Sequence, residues 1–212
     1  EILVYLKYAG KGTRQKKEDT QNGKLQETIT ELNDKLKRNK TPEEQDAEFE
    51  QFYECIKDIA THPVVLRMKL YPHHGVTNCY QHCLHVSYYN YIWCKALGLD
   101  ARSAARAGML HDLFLYDWHT MQSGQGIISW DDASEKSAHE AEKFFDLNSI
   151  ERDIIINHMW PVTLFSVPRT KEGWITTLAD KYCGSFETAQ RKESDPVKKN
   201  GEWTGLSNDF PI

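Results

Sequence analysis

Between Asn78 and Asp112 the chain has little choice but to form two successive helices. Residues Asn78 to Leu97 are rich in apolar and aromatic side chains, Gly98 supplies a left-handed residue to close the helix, and Asp100 supplies a side-chain cap for the next one. That second helix runs through Ala101, Ala104, Ala105, Ala107 and Leu110, and it ends on His111-Asp112. Both helices read as buried on one face.

The same punctuation organises the rest of the chain. Thr41-Pro42-Glu43-Glu44 starts a helix that is expected to turn Phe49, Phe52, Tyr53, Ile56 and Ile59 inward, and His62-Pro63 ends it. Gly124-Gln125-Gly126 breaks the pattern, and Ser129 with Asp132 resembles a capping box for a helix carrying His139, Ala141, Phe144 and Phe145. Asn148 and Ser149 cap a run through Ile154, Ile155 and Ile156 to His158, which stops at Trp160-Pro161. A last helix holds Trp174, Ile175, Leu178, Ala179 and Tyr182. No alternation of period two persists long enough to demand a sheet, and no fixed repeat is present, so the expected fold class is all-α.

The first part of the chain is different in kind. Lys, Glu, Gln, Asn and Thr dominate it, and the stretch from Gly10 to Gly23 reads as flexible linker. Leu25, Ile29, Leu32 and Leu36 then form a narrow apolar stripe on a polar helix. The organisation read from this is an N-terminal extension over residues 1–45, a central domain over 46–190 and a C-terminal tail over 191–212.

Composition excludes more than it identifies. In 212 residues, 26 basic and 31 acidic side chains leave a formal net charge of −5, which announces no polyanion-binding surface, so nucleic acid is not an expected partner. The five cysteines are an odd number without a framework spacing and read as reduced thiols. No run approaches the roughly 20 apolar residues that span a bilayer, and Glu1 to Leu6 is too short for a secretory h-region. A soluble, cytoplasmic protein without a membrane partner is expected.

Chemistry enters through the joint placement of histidines and aspartates. An unpaired carboxylate at Asp112, closing so small and apolar a helix, is costly to bury, and a metal removes that cost. His82 lies on the preceding helix, His139 on the following one, His158 beside Trp160, and Asp180 in Leu178-Ala179-Asp180-Lys181. Imidazole and carboxylate donors without thiolate suit Mn, Fe, Co, Ni or Mg better than structural zinc. A zinc site built from His73-His74, Cys79, His82, Cys83 and His85 is rejected, because no second Cys/His pair completes a tetrahedral set.

The order His, His-Asp, two spaced His and a late Asp resembles the HD superfamily of metal-dependent phosphohydrolases, over about residues 70–190. Local context matches too: Val86 stands four residues after His82, and a small-residue helix ends in Leu110-His111-Asp112. The resemblance implies an HD-domain helical bundle, here with a polar helical extension at its N-terminus. It implies that His82, His111, Asp112 and Asp180 hold one divalent cation, with Asp112 bridging to a second held by His139 and His158. It further implies hydrolysis of a small phosphoester, nucleotide or other anionic substrate by a metal-activated water. Asp112, His85 and Lys181 are the expected catalytic side chains, with Arg106, Asp117 and His119 as further candidates for holding an anion. On its helix Lys181 is expected to point away from Asp180. Trp118, Trp130 and Trp160 flank the proposed ligands as pocket wall or as core.

The match is to the superfamily and not to its cyclic-dinucleotide phosphodiesterase branch. That branch has Gly-Lys shortly after His-Asp and a double His later, whereas this chain has Leu113-Phe114-Leu115-Tyr116 and the single Asn157-His158. Other relatives with four His and two Asp are mixed-valence di-iron oxygenases, so oxidation stands beside hydrolysis at this stage, and a sensor or scaffold role is a third reading.

Overall fold

A computed structural model describes residues 40–73, 77–113, 130–163 and 166–193, of which 130–133 and 189–193 are described by their backbone alone. The described residues form an all-α fold of seven α-helices and one 3₁₀ turn: α1 Pro42–Ala60, α2 Pro63–Leu66, the 3₁₀ turn Arg67–Leu70, α3 Cys79–Ala96, α4 Ala101–Leu110, α5 Trp130–Glu142, α6 Ser149–Asn157 and α7 Lys171–Glu193. None of them is long and apolar enough to cross a membrane. The expected polar helix near Leu25–Leu36 and the Ser129/Asp132 cap lie outside the described residues.

Helix starts follow the cap chemistry. Thr41 accepts from the Glu44 backbone while Glu44 reaches back, and Asn78 with Gln81 and Asn148 with Glu151 repeat the arrangement. Gly98, at φ 66°, ends α3 as expected: its N–H donates to the Lys95 carbonyl and that of Leu99 to the Cys94 carbonyl. Asp100 then accepts from the Ser103 backbone to open α4.

The core centres on α3 and α4, which pack directly against each other. Gly108 makes this approach possible, since a Cβ there would stand 2.7 Å from Asn90 Nδ2 and 2.8 Å from Ser87 Cα. Two polar side chains of α3 staple the crossing: Ser87 donates to the Ala105 carbonyl at 2.6 Å, and Asn90 donates to the Ala104 carbonyl at 3.0 Å and to Thr176 of α7 at 2.9 Å. Helices α1, α6 and α7 close the core around this pair, and α5 packs on α6.

Helix α1 turns inward less of its surface than its sequence suggests. Phe52, Ile56 and Ile59 are buried, but Phe49 and Tyr53 are exposed at 41% and 38%. The i, i+4, i+7 stripe is wide enough to seal the core here, so Phe49 packs at its margin against Phe52 and Tyr88. Phe144 and Phe145 fall beyond the end of α5, where they pack against His62.

Candidate metal centre

His82 projects from the first turns of α3, His111 and Asp112 from the end of α4, His158 from the end of α6, and Asp180 from the middle of α7. All five meet in the interior. Asp180 Oδ1 lies 3.2 Å from His82 Nε2 and 3.8 Å from His111 Nε2. Asp112 is bracketed: its Oδ2 lies 3.5 Å from His111 Nε2, and its Oδ1 lies 3.4 Å from His158 Nε2. Donors bound at about 2.0–2.2 Å to one cation sit about 3–3.5 Å from each other; three of these separations fall in that range and the fourth, at 3.8 Å, lies just beyond it.

The tautomers are set from behind. His111 Nδ1 faces the Gly108 carbonyl at 2.8 Å and His158 Nδ1 faces the Ile155 carbonyl at 2.9 Å, so each Nδ1 is the donor and each Nε2 is turned inward. His82 Nδ1 lies 2.9 Å from Glu187 Oε2, which likewise turns its Nε2 towards the centre. Cys79 donates its thiol to the Asp112 carbonyl at 3.1 Å, fixing the backbone that carries the central carboxylate.

Electrostatics match this inventory of donors. Burial disfavours the Asp112 carboxylate, yet His111, His158 and His73 outweigh that and hold it well below the usual range. For Asp180, burial is likewise overcome by His111 and His82. Burial disfavours a cationic His82, but Glu187 and Asp180 hold its pKa well above the ordinary imidazole value. His111 is raised against burial by Asp112 and Asp180. Carboxylates and imidazoles in the cluster thus favour each other's charged forms, and a bound cation would compete with protons for the same donor atoms.

The fit to a metal is good on the structure's own terms. Among the described residues, His111 Nε2, His158 Nε2 and Asp112 Oδ1 are buried without a hydrogen-bond partner, although buried polar atoms almost always have one. Three overlapping groups place their donor atoms within 4.8 Å of one another: His82, His111 and Asp180; His111, Asp112 and His158; and His73, His82 and Asp112. Buried His/Asp groups able to hold a metal ion are therefore present.

The structure sorts the remaining sequence candidates. His139 lies on α5 with an exposed side chain and belongs to none of these groups. His85 is buried one turn from His82 and lies 2.9 Å from the other oxygen of the same Glu187. Lys181 does not point away as expected, because its long stem folds back and brings Nζ to 3.5 Å from the His158 carbonyl and 3.7 Å from Asp180 Oδ2, on the solvent side. Arg106 binds Asp58 and Glu151, tying α4 to α1 and α6. Trp160 packs edge-on against Trp174. Asp117, His119 and Trp118, and the side chain of Trp130, lie outside the described residues. All five cysteines are free, and burial pushes the Cys83, Cys94 and Cys183 thiols up, away from ligand or nucleophile chemistry.

Two members of the cluster stand outside the expected ligand set. Glu187 is fully buried and accepts from His82, His85 and Thr77. Its one available signal was position, since it falls two turns after Asp180 on the same face of α7. His73 lies 3.3 Å from Asp112 Oδ2; in sequence it entered only the zinc reading that was set aside.

Among known proteins, the chain is similar to a Ribonuclease Y from Geotalea uraniireducens (strain Rf4), at 26% identity over 145 residues, covering 64% of this chain. The chain spans 25% of that relative's length. No family model matches the chain, and no solved structure matches it significantly.

Proposed function

We propose that this chain is a metal-dependent phosphoester hydrolase of the HD superfamily. The observation that carries the reading is the set of buried, inward-facing atoms His111 Nε2, His158 Nε2 and Asp112 Oδ1, which have no hydrogen bond among the described residues and sit at the spacing of donors around a shared cation. Similarity to a ribonuclease, a phosphodiester-cleaving enzyme, supports the reaction class. His82, His111, Asp112, His158 and Asp180 would hold the divalent metal.

A bound divalent cation supplies Lewis-acid charge for a phosphoryl oxygen and lowers the pKa of water. The protein's own part is to keep the donors ionised, oriented and dry. Asp112 presents both oxygens between histidines, so it can serve one cation or bridge two. Lys181 Nζ, 40% exposed as a side chain at the rim, is placed to meet an anionic phosphoryl oxygen arriving from solvent. His85, clamped through Nδ1 by Glu187, is the candidate for holding or passing a proton beside the centre. His139 keeps its place as a candidate donor to a second cation only if the chain brings it inward from its exposed position.

The formal charge of the chain gave no sign of nucleic acid, but the relative's name places RNA beside small phosphoesters and nucleotides as a substrate to test. The experiment is cleavage of bis(p-nitrophenyl) phosphate, a nucleoside monophosphate and a short single-stranded RNA with Mn²⁺ or Mg²⁺ added after chelation. Cation-dependent release that disappears in Asp112→Ala is expected; cleavage that survives both chelator and this substitution would overturn the reading.

A further inference from the structure

We propose that His73, carried by the segment ahead of α3, is itself a ligand of the cation centre. The inference rests on the metal-dependent reading above and adds a donor that the order of ligands along the helices does not contain.

Position is the first argument. His73 Nε2 lies 3.3 Å from Asp112 Oδ2, the same oxygen that faces His111 at 3.5 Å, and its ring stands 4.4 Å from that of His82. Its side chain is 5% exposed. With His82 and Asp112 it forms one of the three groups whose donor atoms lie within 4.8 Å. It therefore occupies the flank of Asp112 opposite His158, which faces Oδ1.

The local backbone is the second argument, because it holds this ring in place. Pro72 and Asn78 form an isolated antiparallel bridge, the His73 N–H donates to the Thr77 carbonyl at 3.0 Å, and the Cys79 N–H donates to the Tyr71 carbonyl at 2.9 Å. Thr77 then donates its hydroxyl at 3.0 Å to Glu187 Oε2, the oxygen that orients His82. One carboxylate thus ties the loop bearing His73 to the helix bearing His82.

Donor number is the third. His73, His82, His111, Asp112, His158 and Asp180 around one octahedral cation would fill it and leave no place for water. Shared between two cations, the same donors would keep positions open.

The test uses the purified chain with Mn²⁺ for affinity, by competition with a chelator, and Co²⁺ for its visible absorption. His73→Ala and His73→Gln are compared with the unaltered protein, and circular dichroism checks folding. The Gln variant keeps a hydrogen-bond donor towards Asp112 but removes the imidazole. Both variants should lose Mn²⁺ affinity by about tenfold or more and should change the Co²⁺ spectrum, with helicity unchanged. Full affinity and an unchanged Co²⁺ spectrum in the Gln variant would overturn the assignment, reducing His73 to an anchor for Asp112. If the unaltered protein binds neither cation, the metal reading itself fails, a result distinct from failure of the His73 assignment.

Discussion

His111 and His73 both face Asp112, but the chain delivers them by different means. His111 stands at the end of α4, which is locked against α3 by Gly108 and by the hydrogen bonds of Ser87 and Asn90. Its position follows from how closely two helices can pack. His73 arrives on a short doubled-back segment whose placement depends on a few backbone hydrogen bonds and on Thr77 reaching Glu187. The comparison teaches that one half of this centre is held by packing and the other by a polar network, so the two halves should fail differently.

The largest effect should come where both halves meet. Asp112→Asn should reduce Mn²⁺ affinity by more than the roughly 10–100-fold lost when an outer partner of a metal ligand is removed, and should abolish cation-dependent phosphoester cleavage. Elemental analysis with an activity assay measures both.

Gly108→Ala attacks the packed half alone. Its new Cβ meets backbone at Ser87 Cα, which cannot yield cheaply, so unfolding free energy should fall by about 1–3 kcal/mol. Chemical denaturation checks this, and a variant as stable as the parent would show that the α3–α4 crossing is looser than described.

Glu187→Gln attacks the polar half alone. An amide offers an acceptor to one of His82 Nδ1 and His85 Nδ1 but presents a donor to the other, which must then carry its proton on Nε2. Mn²⁺ affinity should drop about 10–100-fold with little change in helicity. Nitrogen chemical shifts of the imidazoles, read by NMR, would report the changed tautomer, and unchanged tautomers with full affinity would remove Glu187 from the account.

Asp58→Asn should have the smallest effect. Its salt bridge to Arg106 ties α1 to α4 on the half-exposed outer side, and such pairs contribute about 0.2–1 kcal/mol. Burial acts to raise the Asp58 pKa, but Arg106 overcomes this and lowers it from its ordinary value of 3.8. The contribution is therefore present above pH 3.8 and lost as pH falls through the lower folded value. Parent and variant should converge in stability in that acid range, measured by denaturation at stepped pH.

The same contrast explains what the sequence could reveal. Helix ends were legible because caps are local: Thr41, Asn78, Gly98, Asp100 and Asn148 act within a few residues of themselves. His82, His111, Asp112, His158 and Asp180 were legible as candidates because each interrupts an apolar helical context. Glu187 was not, since its value depends on α7 laying it against two histidines about a hundred positions earlier. His73 was hidden for a related reason: the hydrogen bond from its backbone to Thr77 has no residue signature. Lys181 was misjudged by treating its Cβ direction as its reach. For His139, helical periodicity placed it on α5 but gave no measure of how far that helix stands from the cluster.

Equilibrium dialysis of the chelator-treated protein against Mn²⁺, side by side with Asp112→Asn, addresses the centre directly. Saturable binding to a whole number of sites per chain, lost or severely weakened in the variant, is the result predicted. Equal uptake by both proteins, or no saturable uptake by the parent, would contradict the assignment of these buried histidines and aspartates as a metal centre.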